Sequence, residues 1–275
     1  MRQCIISLTF IEKIFFSNQR KIISHLPLIY RRNFEDRMRK FYQTDWFGIP
    51  FKGFCKISSR TIANLSFYDK FYEEFDKKFS SYEDLPQEWL LNKNLIVDFI
   101  LKQTNKGDRL LSIGSGIGYI EYNLKNSGRN IVAIEPSQKA SNFLRKFSKM
   151  EVYTGFFPSC LSEEKKAQPY DLSYMVAVDY VFKNKEFISL LKEIKKLSAK
   201  RFLLISASIY KNKSLPQTFK DALKSLLSYL SLYELGQFWG YQRRPEDFLY
   251  IFKQAGFTDI EYGFQRKDIF WIRGN

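Results

Sequence analysis

Histidine is almost missing from this chain: His25 is the only one among 275 residues. A Ser-His-Asp relay would have to draw its imidazole from the N-terminal region, and a histidine-based zinc site would lack ligands. Cysteine is nearly as scarce. Cys4, Cys55 and Cys160 are odd in number, far apart and in no metal-ligand spacing, which predicts no bound metal and reduced thiols in a cytoplasmic protein. Long apolar runs are missing too. The run Cys4 to Ile11 follows Arg2 but is cut by Glu12 and Lys13, no small-residue cleavage site follows it, and no stretch approaches the ~20 residues that span a bilayer. The expectation is a soluble protein with no secretion signal and no transmembrane helix.

Acidic residues are in deficit, with 29 Asp and Glu against 44 Lys and Arg and a net charge of +15. The excess is uneven. Residues 1–60 hold twelve Lys and Arg against four Asp and Glu, a net +8, which leaves +7 for the other 215. Such a leader suits a polyanion or an anionic membrane surface, so nucleic acid and peripheral membrane contact stay open as partners. Lysines spread over solvated faces account for the same charge and are favoured.

Within the leader, Phe10, Ile14 and Phe15 predict a helix over Leu8 to Ile23, broken by Pro27. Tyr30, Phe34, Met38 and Phe41 then form a second stripe at helical spacing, with Arg31, Arg32, Arg39 and Lys40 on other faces. A stripe of this kind stacks bases or lies on a membrane in some proteins, but packing on the main domain or capping its cleft is favoured here. Residues 44–57 carry two glycines and a proline among aromatics and read as an irregular connector. This divides the chain into a basic leader over 1–60 and a main domain over 61–275.

What the chain has in plenty is apolar and aromatic surface, 45% hydrophobic with 17% aromatic, enough to fill the core of one large α/β domain. A helix over Ser66 to Phe79 carries Phe67, Phe71 and Phe75 four apart. Another over Gln87 to Gln103 starts behind Pro86. The organising stretch follows, Arg109 to Ser137. Leu110 to Ile113 reads as a buried strand that empties into Gly114, Ser115, Gly116, Ile117 and Gly118. Three glycines in five residues permit a sharp turn and let a ligand approach the main chain. A helix then starts near Tyr119, and a second strand, Asn130 to Ile134, ends in Glu135 with Pro136 behind it. In a right-handed strand, helix, strand unit this carboxylate sits beside the turn, where it can accept both hydroxyls of a ribose. A dinucleotide site would need a third glycine at position 119, where Tyr119 stands, so a nicotinamide cofactor is disfavoured.

The run I-G-S-G-I-G, closed by Glu135 on the next strand, resembles motif I and the acidic motif II residue of the class I S-adenosylmethionine-dependent methyltransferases, Rossmann-like proteins of the type 11/12 kind. The resemblance covers about Ser66 to Ile272. It implies an α/β fold with a seven-stranded, mostly parallel sheet whose last strand runs antiparallel between its neighbours, and S-adenosylmethionine as cofactor. It places Gly114, Ser115, Gly116 and Gly118 against the cofactor's methionine part, and Glu135, with Pro136 after it, at its ribose. Tyr68 and Tyr72 are similar in position to a cofactor-covering helix of many small-molecule methyltransferases. In the family an acidic residue commonly follows the third strand and binds the adenine amino group. Here Glu151 to Thr154 leads into Gly155, Phe156 and Phe157, so stacking by Phe156 or Phe157 is the expected substitute.

The fourth strand, Asp171 to Val178, resembles the one that runs beneath the cofactor, and the positions after it usually face the methyl acceptor. Ala177 is therefore expected against the cofactor, Asp179 as a general base and Tyr180 as a residue that orients the acceptor. Asp179 as a cap on a helix over Lys183 to Leu197 explains the residue equally well. No Asn/Asp-Pro-Pro-aromatic loop stands here, and Cys160 lacks a preceding proline, which disfavours methylation of base amino groups or pyrimidine carbons. After a fifth strand, Arg201 to Ser206, residues 207–243 form a lid-like insertion. Phe219, Leu223, Leu226, Leu227, Leu230 and Tyr233 trace an amphipathic helix in it, and Phe238, Trp239 and Tyr241 follow, with Trp239 and Tyr241 as candidate acceptor contacts. The insertion would equally serve as a dimer surface. A helix from Pro245 to Gly256 and a closing strand pair, Phe257 to Phe264 and Asp268 to Ile272, complete the chain.

The function expected is transfer of a methyl group to oxygen or nitrogen of a small molecule or glycan. The alternatives are an RNA or other polyanionic acceptor, a cofactor-binding protein without transfer activity, and a nicotinamide-dependent oxidoreductase.

Overall fold

Residues 38–197, 199–210, 215–230 and 233–275 are described by a computed structural model. The helix expected over Leu8 to Ile23, and Tyr30 and Phe34 of the second stripe, lie outside them. The described chain opens with strands, not with a continuation of that stripe: β1 (Arg39–Gln43), β2 (Asp45–Trp46) and β3 (Ile49–Pro50). β2 and β3 form a hairpin whose two-residue loop, Phe47 and Gly48, has φ of +54° and +64°. That is the pattern whose twist suits a tight hairpin. For a phenylalanine the left-handed conformation costs about 1–3 kcal/mol. Edge-on packing of the Phe47 ring against Phe75 and Phe79 offsets it.

Two helices follow, α1 (Leu65–Lys78) and α2 (Gln87–Leu101). Asn64 caps α1 by accepting from the Phe67 N–H at 3.0 Å. Phe67, Phe71 and Phe75 are buried in one stripe, with Phe51, Phe79, Tyr82, Phe143 and Trp239 packed around them. Most of these rings meet edge to face, an arrangement that adds about 0.5–1.5 kcal/mol per pair beyond area burial.

The strands that follow alternate with helices: β4 (Arg109–Ile113), α3 (Tyr119–Asn126), β5 (Asn130–Glu135), α4 (Gln138–Phe147), β6 (Glu151–Thr154), α5 (Glu163–Ala167), β7 (Leu172–Val176), α6 (Asn184–Lys196), β8 (Phe202–Ser206), α7 (Leu215–Tyr229), β9 (Gln237–Gln242), α8 (Pro245–Ala255), β10 (Glu261–Arg266) and β11 (Ile269–Gly274). Seven of them make one sheet in the order β10-β11-β8-β7-β4-β5-β6. β4, β5, β6, β7 and β8 are parallel, and β11 runs antiparallel between β8 and β10. Four of the parallel strands, β4, β5, β7 and β8, are buried on both faces, so they read as near-continuous apolar runs, while β6 lies at the sheet edge and is partly exposed. A second core, with Ile96, Ile100, Leu110, Ile120, Leu124 and Leu203, fills the space between the sheet and α2 and α3.

From β4 the chain winds outward to β5 and β6, then returns to β7 on the other side of β4. The order reverses there, and a crevice opens beyond the carboxyl ends of β4 and β7. A separate antiparallel ribbon covers it. β9 comes from the 207–243 segment and pairs with β1, Arg39 opposite Gln242 and Gln43 opposite Gln237. Gln237 fixes the ribbon: its Oε1 accepts from the Ser58 N–H at 2.9 Å and its Nε2 donates to the Thr61 carbonyl at 2.7 Å. The amphipathic helix expected in this segment is α7, but Phe219, Leu223, Leu226 and Leu230 on its apolar stripe are exposed. No helix among the described residues is long and apolar enough to cross a membrane.

Candidate functional site

β4 delivers the chain into the glycine turn, and all three glycines there have left-handed φ, +79° at Gly114, +57° at Gly116 and +75° at Gly118. Their neighbours differ. A Cβ at Gly114 would lie 2.7 Å from Val178 Cγ2, and at Gly118 2.0 Å from Leu144 Cδ1, so both are closed in by packing. At Gly116 the nearest atom would be the Tyr72 hydroxyl, at 3.2 Å. The Gly116 N–H donates to Glu135 Oε2 at 2.7 Å, and the Ser137 N–H donates to Oε1 at 2.9 Å. Ser137 also caps α4 through its hydroxyl, which accepts from the Ala140 N–H. Glu135 is thus clamped at the end of β5. Burial pushes its carboxyl up to about 7, against the pull of those two N–H groups.

A cavity of about 730 Å³ opens beside this clamp, within the roughly 300–1,000 Å³ usual for a small-molecule or cofactor site. Gly114, Ser115, Gly116, Glu135 and Pro136 line it from the turn, and Ala177 and Tyr180 from the end of β7. Ala177 has φ of +52°. The Ser115 hydroxyl is buried in this wall with no hydrogen-bond partner, a donor and acceptor ready for a ligand. Phe156 and Phe157 both reach the cavity, Phe157 buried and Phe156 exposed on its rim.

The rest of the wall is aromatic. Tyr68 and Tyr72 come from α1, and Trp239 from β9. Tyr180 stacks against Trp239 with centroids 6.2 Å apart and planes 17° apart. The Tyr68 and Tyr180 hydroxyls lie within 3.4 Å of each other. Burial raises all three tyrosines, Tyr180 to about 12 and Tyr68 and Tyr72 well above their ordinary value, so these phenols are neutral at pH 7.

Two candidate residues point elsewhere. Asp179 is buried, but it does not line the cavity. Its Oδ2 accepts from Ser206 Oγ at 2.9 Å, and its backbone carbonyl accepts from Arg243 Nη1 at 2.9 Å. Burial, opposed by Arg243 and Ser206, sets its carboxyl at about 6. Nor does it cap α6, whose first turn is closed by Glu186 Oε2 accepting from the Lys183 N–H at 2.8 Å. The Arg243 guanidinium, 64 positions away, holds the backbone of Asp179, and Ser206 holds one oxygen of its carboxyl. Tyr241 is buried in the ribbon, edge-on to Phe238 at 5.3 Å, and is likewise outside the cavity wall. In the other direction, sequence reasoning passed over Glu121 and Lys93, which do line it. The signal for Glu121 was its spacing, on the apolar face of α3 with Ile117 four residues before and Leu124 three after.

No protein-family model matches the chain, and no curated protein matches it in sequence. Solved structures match it in fold. Human N-acetylserotonin methyltransferase, in complex with S-adenosylmethionine, superposes with a TM-score of 0.52 at 16% identity over 77% of this chain and 56% of that one. The S-adenosylmethionine-dependent methyltransferase SibL, in its apo form, gives 0.51 at 14% identity over 82% of this chain and 64% of that one. A protein of Pyrococcus horikoshii gives 0.50 at 16% identity, over 69% and 92%. The chain thus spans a little over half to two thirds of the length of the first two. With the strand order and the antiparallel β11 above, these likenesses show the class I S-adenosylmethionine-dependent methyltransferase fold.

Proposed function

We propose that this chain transfers a methyl group from S-adenosylmethionine to an oxygen or nitrogen of a small, largely apolar molecule. The observation that carries the reading is the Glu135 carboxylate held at the lip of the cavity by the Gly116 and Ser137 N–H groups. A carboxylate at the end of the second strand of such a unit suits the two hydroxyls of a ribose. In the glycine turn beside it Gly116 lines the cavity under the Tyr72 hydroxyl, and Ser115 Oγ offers a buried, unpartnered hydroxyl. Pro136 and Phe157 would wall the adenine, with Phe156 at the rim and Ala177 beneath.

S-adenosylmethionine, when bound, supplies a methyl group already activated by its sulfonium. The protein's part is therefore to place the acceptor in line at roughly 3 Å and to keep water out. Tyr68, Tyr180 and Trp239 do this in the present reading. The two phenols, neutral because buried, hold the acceptor by hydrogen bonds, and Trp239 closes over it. In this reading Asp179, which lies outside the cavity wall, is not the base.

A wall so rich in aromatic rings favours a flat apolar acceptor over a glycan, whose many hydroxyls would demand matching polar side chains. In this reading the transferase domain spans 61–275, residues 38–60 add Phe41, Trp46 and Phe47 to the cavity wall, and the compartment is the cytoplasm. Titration calorimetry with S-adenosylhomocysteine and with NAD tests the cofactor. Binding of the first and not the second is expected; tight NAD binding without S-adenosylhomocysteine binding overturns the reading.

A further inference from the structure

Glu121 is a buried carboxylate that the function above leaves without a task. It stands on the first turn of α3, 2% exposed, and lines the same cavity as the glycine turn. Both of its hydrogen bonds fall on Oε1, from Ser112 Oγ at 2.6 Å and Tyr174 Oη at 3.0 Å. Ser112 and Tyr174 are register partners across β4 and β7. Glu121 is therefore fixed on the β7 side of the turn, whereas Glu135 is fixed on the β5 side. No side chain among the described residues donates a hydrogen bond to its Oε2.

Lys93, on α2, reaches the same cavity, its Nζ 5.3 Å from the Trp89 ring centroid. Burial pulls its ammonium down to about 8, against the attraction of Glu121. Burial likewise raises the Glu121 carboxyl, although Ser112, Tyr174 and Lys93 favour its charge. The two side chains feel each other but form no ion pair among the described residues. Opposite charges left apart in one low-dielectric cavity are costly to desolvate unless something bridges them.

The geometry points to Glu121 and Lys93 as the seat of an α-amino-acid zwitterion, its ammonium on Glu121 Oε2 and its carboxylate on Lys93 Nζ. The ammonium brings only donors and the carboxylate only acceptors, which matches what each side chain lacks. The inference rests on the function above, in which this zwitterion is the amino-acid end of the cofactor and the nucleoside lies toward Glu135.

The test compares S-adenosylhomocysteine with 5′-methylthioadenosine, which keeps the nucleoside and thioether but has no amino-acid end. Wild type, Glu121→Gln and Lys93→Met are titrated with each ligand by calorimetry. Glu121→Gln keeps an Oε1 acceptor for Ser112 and Tyr174, so its fold is preserved. Each variant is expected to bind S-adenosylhomocysteine about tenfold or more weakly, the scale of a lost charge-assisted hydrogen bond, while 5′-methylthioadenosine binds as to wild type. Unchanged S-adenosylhomocysteine affinity, or equal losses for both ligands, overturns the assignment. Should Lys93→Met fail to fold, Glu121→Gln decides alone. A wild type that binds neither ligand overturns the methyltransferase reading itself.

Discussion

The hydroxyls of Tyr68 and Tyr180 lie 3.4 Å apart, joining a helix that precedes the glycine turn to a loop that follows β7. In the proposed reaction both phenols face the acceptor. Tyr180→Phe keeps the ring against Trp239 and removes only the hydroxyl. It is expected to lower kcat/KM for the acceptor about tenfold, the scale of one hydrogen bond. S-adenosylhomocysteine affinity should stay unchanged, and a parallel loss there would place Tyr180 at the cofactor.

Glu135 governs the pH response. Its carboxyl is raised from the ordinary 4.5 to about 7, with Asp69 and Glu121 as charged neighbours that add to burial. The folded state then holds a proton that the unfolded state has released, so stability falls as pH rises from about 4.5 to 7. Ligand affinity moves the other way, because a ribose diol is accepted by the ionised carboxylate. S-adenosylhomocysteine binding should strengthen as pH rises through 7, with proton release visible in calorimetry across buffers. Glu135→Gln should flatten both dependences.

Two glycines with left-handed backbone, Gly118 in the turn and Gly107 ahead of β4, are expected to differ in what a methyl group costs them. Gly118→Ala drives a methyl group to 2.0 Å from Leu144 and keeps φ at +75°. Overpacking costs about 1–3 kcal/mol and left-handed backbone about 1–2 kcal/mol. Gly107→Ala carries a similar φ, +87°, with nothing within 4 Å. Denaturant titration should show the larger loss at Gly118, and equal losses would mean that α4 yields.

Arg243 ties the end of the ribbon to the loop after β7. It is 1% exposed, its Nε donates to Asn184 Oδ1 at 2.7 Å and its Nη1 to the Asp179 carbonyl at 2.9 Å, and Nη2 reaches the Phe182 carbonyl. A lysine cannot reproduce this fork. Arg243→Lys should destabilise the protein by about 3 kcal/mol, measured by urea unfolding, and release Trp239 and Tyr180 from each other.

The parts of this molecule that were legible in its sequence are those whose partners lie nearby in the chain. Leu110 to Ile113, the glycine turn and Glu135 form one continuous unit of 27 residues from Arg109 to Glu135, and the closing β10–β11 pair is a local hairpin. Residues whose role depends on distant neighbours were read poorly. Met38 and Phe41 sit at helical spacing with Tyr30 and Phe34, yet Phe41 lies on a strand because β9 supplies the hydrogen bonds. Asp179 had the right chemistry for a base, but its side chain lies outside the cavity wall, with Oδ2 held by Ser206. Glu121 was passed over because one of the partners that fix it, Tyr174, lies 53 positions away.

The ribbon also sets when the protein becomes competent during its own synthesis. Arg39 of β1 pairs with Gln242 of β9, so the first of the two strands must wait for roughly 200 more residues, about 10–40 s at 5–20 residues per second. The parallel sheet and its glycine turn can assemble meanwhile, with the aromatic pocket still open to solvent. A nascent chain stalled before β9 emerges would hold the turn and Glu135 without Trp239, so closure of the pocket is one of the last events of its biogenesis.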